Sequence, residues 1–255
     1  MVPNPFSIIE SAEIGEIEPE LTAEGATEDV ALPPVNIDRL PDGVVSGTTL
    51  IDFSAAQNLV VRSSVSLAML FASRVATTGM KDGDDEDDWL ARYTLKLGEL
   101  GFRVSGTSLT TSTFRKKGVA VHKAIIPFLT IAFGGAAVGP IILAALSNLQ
   151  DMDANSPWIT LFEKQSRRFS VSEMHFAAVS ATATETTIRY VVARLDFETG
   201  TTKVLFFRID KTNAKFESAT TSMTADNSLL ANLEPKLRAK LDQIISSTIA
   251  EADIG

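Results

Sequence analysis

The sequence contains a run of 27 residues, Ala124 to Gln150, without a single charged side chain. A segment this apolar must be buried in protein or placed in lipid, and about 20 apolar residues are enough to cross a bilayer. Glycine and proline interrupt the run at Pro127, Gly134, Gly135, Gly139 and Pro140. Because glycine allows sharp turns and proline suits the first turn of a helix, the sequence predicts two short helices at about 119–133 and 140–149.

Three interpretations of this apolar hairpin remain open at this stage. It is a buried helix pair in the core of a soluble protein, a permanent transmembrane span, or a hairpin that is buried at first and later meets a membrane. A single broken segment is a poor permanent anchor, which disfavours the second interpretation. The choice between a buried helix pair and a hairpin that later meets a membrane depends on the composition and element order of the whole chain.

The charge of the chain is concentrated at its start. The net charge is −9, and residues 1–31 carry eight acids and no lysine or arginine, which leaves 24 acids against 23 bases in the rest. We therefore predict an acidic N-terminal arm or propeptide over residues 1–34 and a single domain over 35–255. The arm is either a solvated tail or a segment that masks a surface and repels anionic membranes. Without a basic footprint, nucleic acid is not expected as a partner.

Two absences bear on compartment and chemistry. The chain has no cysteine, which excludes disulfides, thiolate metal sites and a cysteine nucleophile. The first 20 residues lack the basic region and continuous apolar core of a signal peptide. We expect a soluble protein that is released by a non-classical route, if it acts outside the cell that makes it.

Residues ahead of the hairpin predict a mixture of strands and helices. We expect a strand at Thr49–Phe53, a helix at Ser54–Thr77 capped by Ser54, and a helix from about Asp87 to Leu100. The acids before the latter helix suit a helix start better than a calcium loop, since the sixth and twelfth positions hold Asp87 and Tyr93 where an EF-hand needs Gly and Glu. The Ser/Thr alternation of Phe102–Phe114 favours an exposed strand.

After Pro157 the pattern changes to short strands separated by turns. Strands are predicted at Trp158–Phe162, Phe169–Ala178, Thr187–Phe197, Lys203–Ile209 and Phe216–Met223. Residues Glu198 to Thr202 are predicted to form a hairpin turn between the two strongest strands, so these two strands are expected to be antiparallel. A closing helix should begin at Ser228 or Glu234, with Pro235 in its first turn, and end near Ala250.

No constellation of residues indicates an enzyme. The two histidines, His122 and His175, are not in metal-ligand spacing, and each is interpreted as a structural residue. Nucleophile elbows, phosphate-binding loops and zinc-protease motifs are absent from the sequence. We therefore expect no catalytic residues, no metal and no cofactor.

The order of elements resembles that of the cytolytic Cyt delta-endotoxins and their relatives, the volvatoxins and the Evf virulence factor. The resemblance covers about Ile37 to Met223. It is carried by Pro157-Trp158-Ile159 after the apolar helices and by VLFFRI after TIRYVVARLDF. It implies an α/β protein of the α+β type, in which helical hairpins wrap the antiparallel sheet of a single Cyt-like domain.

The resemblance also implies a membrane-permeabilising toxin or virulence protein that loses a terminal segment, binds lipid and self-associates on target-cell membranes. The layers at 54–77 and 119–149 would then move away from the sheet. The membrane-contacting residues would be Phe128, Ile131, Phe133, Ile141 and Leu143 of the hairpin and Tyr190, Val192, Leu205 and Phe207 of the strands. Arg115, Lys116 and Lys117 precede the hairpin and could meet lipid headgroups, although solvated turn charges are the simpler interpretation.

Two alternatives stand beside this hypothesis. One is a non-lytic protein on the same fold that carries a bound fatty acid or other lipid between helices and sheet. The other is an interaction or structural protein with no membrane role. Arg189, Arg194 and Arg208 interrupt the strands, and a charge facing lipid at mid-bilayer costs about 2 to 4 kcal/mol, so these side chains must avoid lipid.

Overall fold

The structure, a computed structural model, describes residues 4–15, 32–114, 118–166, 172–195, 205–206 and 214–253. Seven helices are described: α1 Pro5–Ser11, α2 Leu59–Thr78, α3 Glu86–Glu99, α4 Val121–Phe133, α5 Pro140–Asn148, α6 Pro157–Gln165 and α7 Asn227–Thr248. Seven strands are described: β1 Gly43–Ser46, β2 Thr49–Ala55, β3 Arg103–Phe114, β4 Ser172–Ala181, β5 Glu185–Leu195, β6 Ala214–Asp226 and β7 Ile249–Glu251.

The strands form one sheet in the order β3-β6-β5-β4-β2-β1-β7. All neighbours are antiparallel except β2 and β4, which run parallel, so the sheet is mixed where the prediction had antiparallel neighbours throughout. A parallel pair needs a long crossover, and here the chain from β2 to β4 contains α2 to α6. The predicted α+β class with a single helix-wrapped sheet is confirmed.

Helices cover both faces of the sheet, and each face has its own core. On the face that we call the α2 face, the sheet residues Ile51, Tyr190 and Met223 pack against α1, α2, α3 and α7. On the opposite face, the hairpin face, Phe176 and Phe216 pack against α4, α5 and α6. The sheet supplies both cores because successive side chains of a strand point to opposite faces.

Helix boundaries follow local capping. Asn58 begins α2, because its side chain accepts hydrogen bonds from Val60 N and Val61 N, so the predicted cap at Ser54 is wrong. The acids before α3 do form its cap, as a capping box of Asp85 and Asp88. The closing helix starts at Asn227, and Pro235 therefore lies inside α7 and not in its first turn.

Two predicted strands are wrong. Residues 158–162 belong to α6, in which Pro157 occupies the first turn and Trp158, Leu161 and Phe162 are buried at helical spacing. Leu205 and Phe206 form a turn, and β5 pairs on its two sides with β4 and β6. The rest of 203–209 and the predicted hairpin at 198–202 lie outside the described residues. A short apolar run does not by itself distinguish strand from helix.

Part of the acidic arm is folded against the body, which differs from the expected solvated tail. Helix α1 buries Ile9 against the α2 face and packs on α7. Arg74 of α2 donates from Nε to the carbonyl oxygen of Ile14 at 3.1 Å. Residues 16–31 of the arm lie outside the described residues, and the division of the chain at residue 34 stays a prediction.

Candidate functional site

The apolar hairpin predicted from the sequence is present as α4 and α5. Helix α4 ends at Gly134, which adopts a left-handed conformation, and the Gly135 amide donates to the carbonyl oxygen of Thr130 at 2.8 Å. This arrangement is a Schellman ending, which a glycine makes without steric cost. Gly139 also has a positive φ, and a Cβ there would lie 3.0 Å from the ring of Phe133. The glycines thus fold the two helices tightly together.

The hairpin buries one side and exposes the other. Its buried side chains, which pack on the hairpin face of the sheet, include Ile125, Leu129, Phe133, Ile142 and Leu146. On the outer side Ile131 is 79% exposed and Val138 is 38% exposed. No residue from 124 to 150 is charged, so the hairpin itself exposes large apolar side chains without charge, and the Arg189 guanidinium of β5 approaches its tip, 3.8 Å from where a Cβ on Gly134 would lie. Such a surface is typical of sites that contact protein or membrane.

More exposed apolar side chains lie toward the end of the sheet that holds the α4–α5 turn. Asp52, Ala178, Arg189 and Ser222 form a row across β2, β4, β5 and β6. The turn lies over this row, since a Cβ on Gly139 would be 3.5 Å from that of Ala178. Beyond the row, toward the same end but on the α2 face, come the exposed side chains of Leu59 and Val60 in α2 and of Val104, which lies opposite Met223. This end therefore combines several exposed aliphatic groups from three elements.

The predicted membrane-contacting residues fall into different environments. In the hairpin, Ile131 is exposed, Phe128, Ile141 and Leu143 are partly buried, and Phe133 is buried. Those predicted on strands are not together, because Tyr190 and Val192 are buried on the α2 face, while Leu205 is buried in the hairpin-face core. Phe207 and the headgroup candidates Arg115, Lys116 and Lys117 lie outside the described residues.

A buried polar cluster occupies the α2 face beneath α3. Glu173 of β4 lies opposite Arg194 of β5 and accepts a hydrogen bond from Arg194 Nε at 2.5 Å, and its Oε1 lies 2.7 Å from His175 Nε2. His175 Nδ1 also contacts the hydroxyl of Tyr190. Although burial raises the pKa of Glu173, the neighbouring His175 and Arg194 outweigh it and lower that pKa below its usual value. The carboxylate is therefore held ionised.

Helix α3 covers this cluster with two aromatic rings. Trp89 and Tyr93 stack at 5.0 Å between ring centroids, Trp89 meets His175 edge to face at 5.2 Å, and Tyr93 stacks on Tyr190 at 5.4 Å. Burial raises the pKa of Tyr190 well above its usual value. At the surface Asp87 of α3 accepts from Arg194 Nη1 at 2.5 Å. Rings and ion pairs together fasten α3 to the sheet.

The base of the hairpin carries a second polar contact. His122 Nδ1 lies 2.7 Å from the carbonyl oxygen of Leu205 and must donate to it, and Glu163 accepts from the Leu205 amide at 2.6 Å. Burial lowers the pKa of His122, more than the Leu205 hydrogen bond raises it, and Lys123 lowers it further. His122 therefore joins the start of α4 to the backbone of Leu205.

Sequence reasoning missed Asp52, Glu163 and Glu173 as residues that hold layers together. One signal was available, because Asp52 stands in the buried run Thr49 to Phe53, where an acid needs a partner. In the described part of the chain, α2 is the helix long and apolar enough to cross a membrane by length and composition, and 78% of its apolar window is buried. Such burial is typical of a core helix.

No family model matches the chain, and no curated protein matches it. Among solved structures, a delta-endotoxin is similar over 80% of this chain and 90% of that one, with 12% sequence identity and a TM-score of 0.40. The Evf virulence factor is similar over 95% of this chain and 88% of that one, with 14% identity and a TM-score of 0.37. Both kinds of protein were named from the order of elements in the sequence. At these scores the likeness to both structures is partial.

Proposed function

We propose that this protein binds lipid membranes directly through the α4–α5 hairpin and permeabilises them, as a toxin or virulence protein does. The observation that carries the proposal is the exposed, uncharged outer surface of the hairpin, with Ile131 and Val138 at its tip. Placing a charge in lipid costs several kcal/mol, and the hairpin contributes none, since Arg189 beside Gly134 belongs to β5. A hairpin that separates from Arg189 can therefore enter the apolar part of a bilayer without desolvating an ion.

The inner side of the hairpin supports a further step. Phe133, Ile142 and Leu146 make apolar contacts with the sheet, and lipid chains offer an equivalent environment. A hairpin that leaves the sheet would thus exchange one apolar surrounding for another. The sheet residues that it uncovers, such as Ala178 and Val191, would then be available for contact with lipid or with further copies of the protein on the membrane.

The acidic arm has a separate role in this proposal. Its eight acids repel anionic headgroups, so removal of residues 1–34 should increase leakage from anionic vesicles more than from zwitterionic ones. Residues 4–15 of the arm lie on the α2 face, whereas Leu32 near the end of the arm packs against the hairpin-face core. Deleting residues 1–34 therefore removes both the acidic charge and this contact, and the comparison of anionic with zwitterionic vesicles isolates the effect of charge.

The experiment compares vesicle binding and dye release for the full chain and for two charge variants. Ile131→Glu combined with Val138→Glu should lower partitioning into zwitterionic vesicles by about tenfold, because an acid must enter the interface. Leu95→Glu is the matched control, since Leu95 is an exposed aliphatic side chain on α3, 60% exposed. Both proteins should keep their free energy of unfolding to within about 0.5 kcal/mol.

Equal binding of the two variants would contradict the proposal. Binding without dye release would instead favour the fatty-acid or lipid carrier, for which native mass spectrometry should find a bound acyl chain. Failure to bind any vesicle would favour an interaction role.

The structure has an open pocket between residues 35–38 and α7. Its lining includes the charged residues Asp38, Arg238 and Asp242 as well as Ile37 and Ile245, and this charged lining does not suit an acyl chain.

A further inference from the structure

A buried carboxylate joins the tip of the hairpin to the sheet. Asp52 is 1% exposed in β2, and its Oδ2 accepts a hydrogen bond from the backbone amide of Ile141, in the first turn of α5, at 2.6 Å. Its other oxygen accepts from the amide and the hydroxyl of Ser54, at 2.8 and 2.6 Å. Both carboxylate oxygens are therefore used as acceptors.

The start of α5 explains why this acceptor comes from the sheet. The first amides of a helix have no partner within it and usually bond to a capping side chain. Here the capping position is Gly139, which has no side chain, and the next residue is Pro140, which has no N–H. Ile141 therefore offers the first free amide of α5. Asp52 satisfies it, and the positive end of the helix stabilises the carboxylate.

This hydrogen bond differs in kind from the other contacts of the tip. The apolar contacts of Phe133 and Ile142 can be replaced by lipid, whereas a backbone amide in lipid finds no acceptor. At the opposite end of the hairpin, His122 makes the corresponding polar contact with Leu205. The Asp52 carboxylate thus distinguishes the docked tip from a tip surrounded by lipid.

We propose that Asp52 is a positioning residue that holds the α4–α5 tip against the sheet, so that its hydrogen bond to Ile141 sets how readily the hairpin leaves. Opening of the tip is a property of the protein in water and is measured without lipid. Its effect on membranes rests on the proposed function.

The test is amide hydrogen exchange of the wild type and Asp52→Asn. Asparagine keeps the shape but has one acceptor oxygen, so it cannot serve both Ser54 and Ile141. Exchange in residues 140–148 should accelerate by about tenfold or more, since hydrogen bonds to charged groups are among the stronger ones. Ser54→Ala removes one of the three donors to Asp52 and should accelerate exchange in the same residues by a smaller factor. This second variant keeps the test available if Asp52→Asn folds poorly.

Asp226→Asn is the matched control. Asp226 caps α7 by accepting from the amides of Ser228 and Leu229 at one oxygen, which asparagine keeps, so this replacement should leave exchange in residues 140–148 unchanged. The inference is overturned if Asp52→Asn leaves exchange in 140–148 unchanged, or if Asp226→Asn accelerates it equally.

Dye release from vesicles separates this inference from the proposed function. Faster exchange with faster leakage supports both. Faster exchange with no lipid binding by any variant supports the role of Asp52 and contradicts the membrane function. Unchanged exchange in a protein that leaks dye contradicts the role of Asp52 and leaves the membrane function supported.

Discussion

Both faces of the sheet have a buried core, but different interactions hold their helices. On the α2 face, α3 is fastened by Glu173, His175 and Arg194 together with stacked rings. On the hairpin face, the contacts of α4 and α5 with the sheet are largely apolar, and polar contacts stand at the two ends, at Asp52 and His122. A lipid environment can replace apolar contacts but not buried ion pairs, so the difference indicates which layer can leave.

Helix α2 illustrates the difference, because it is longer than α4 and could cross a membrane by length and composition. Its buried Arg62 donates to the carbonyl oxygens of Ala56 and Leu40 and pairs with Asp42 at 2.6 Å. Removing α2 from the protein would leave this guanidinium without its partners, which costs several kcal/mol in an apolar medium. The resemblance implied that both helical layers move, and these contacts favour movement of α4 and α5 first.

The largest effect is expected on the α2 face. Glu173→Gln should lower the free energy of unfolding by about 3 kcal/mol, because His175 and the partly buried Arg194 would lose their shared buried carboxylate, although Arg194 keeps its surface contact with Asp87. Urea denaturation measures this change, and hydrogen exchange should show α3 opening before α4. A loss below about 1 kcal/mol would show that the cluster is not what fastens this face.

Lowering the pH should decrease the stability that the α2 face contributes, over a defined range of pH. Since the folded-state pKa of Glu173 is lowered, the unfolded chain binds its proton first as pH falls. Stability from this group is present above about pH 4.5 and is lost as pH falls through the folded-state pKa, by at most about 1.4 kcal/mol per pH unit. Urea denaturation between pH 3 and 7 measures the slope. Glu173→Gln should reduce it, and an unchanged slope in this variant would contradict the assignment.

The smallest effect is expected at the base of the hairpin. Because the pKa of His122 is lowered in the folded state, the unfolded chain binds a proton first as pH falls below about 6.5, and stability decreases there. Exchange of amides in the first turn of α4 should therefore accelerate between pH 7 and 5, after correction for the intrinsic rate. His122→Asn should remove this dependence, and its persistence in that variant would exclude His122 as the cause.

Local signals in the sequence predicted the elements that depend on them. Gly134, Gly139 and Pro140 fixed the ends of α4 and α5 to within two residues, and the acids at 84–88 marked the start of α3. The strand predicted at 158–162 was wrong because a short run with four apolar residues suits a strand as well as one side of a helix, and Pro157 was the better guide.

Contacts between residues far apart in the chain could not be predicted from the sequence pattern. Glu173 and Arg194 meet only through the register of β4 and β5, and Asp52 meets Ile141 across 89 positions of the chain. The sequence showed Asp52 in an apolar strand without indicating its partner. Likewise, the apolar run at 203–209 predicted a strand beside β5, whereas β6 takes that place in the sheet and Leu205 bonds to His122 and Glu163.

A covalent tie across the hairpin face tests most directly whether the hairpin must leave the sheet. A Cβ at Gly139 would lie 3.5 Å from that of Ala178, within disulfide range, and the chain has no cysteine of its own. Gly139→Cys costs about 1 to 2 kcal/mol at its positive φ and requires a small shift of the Phe133 ring.

The measurement is dye release by the Gly139→Cys, Ala178→Cys protein with and without reductant, with each single variant as control. The account predicts that the oxidised protein retains the dye, that reduction restores leakage, and that the single variants leak under both conditions. Leakage by the oxidised protein at the rate of the reduced one would contradict the claim that α4 and α5 leave the sheet.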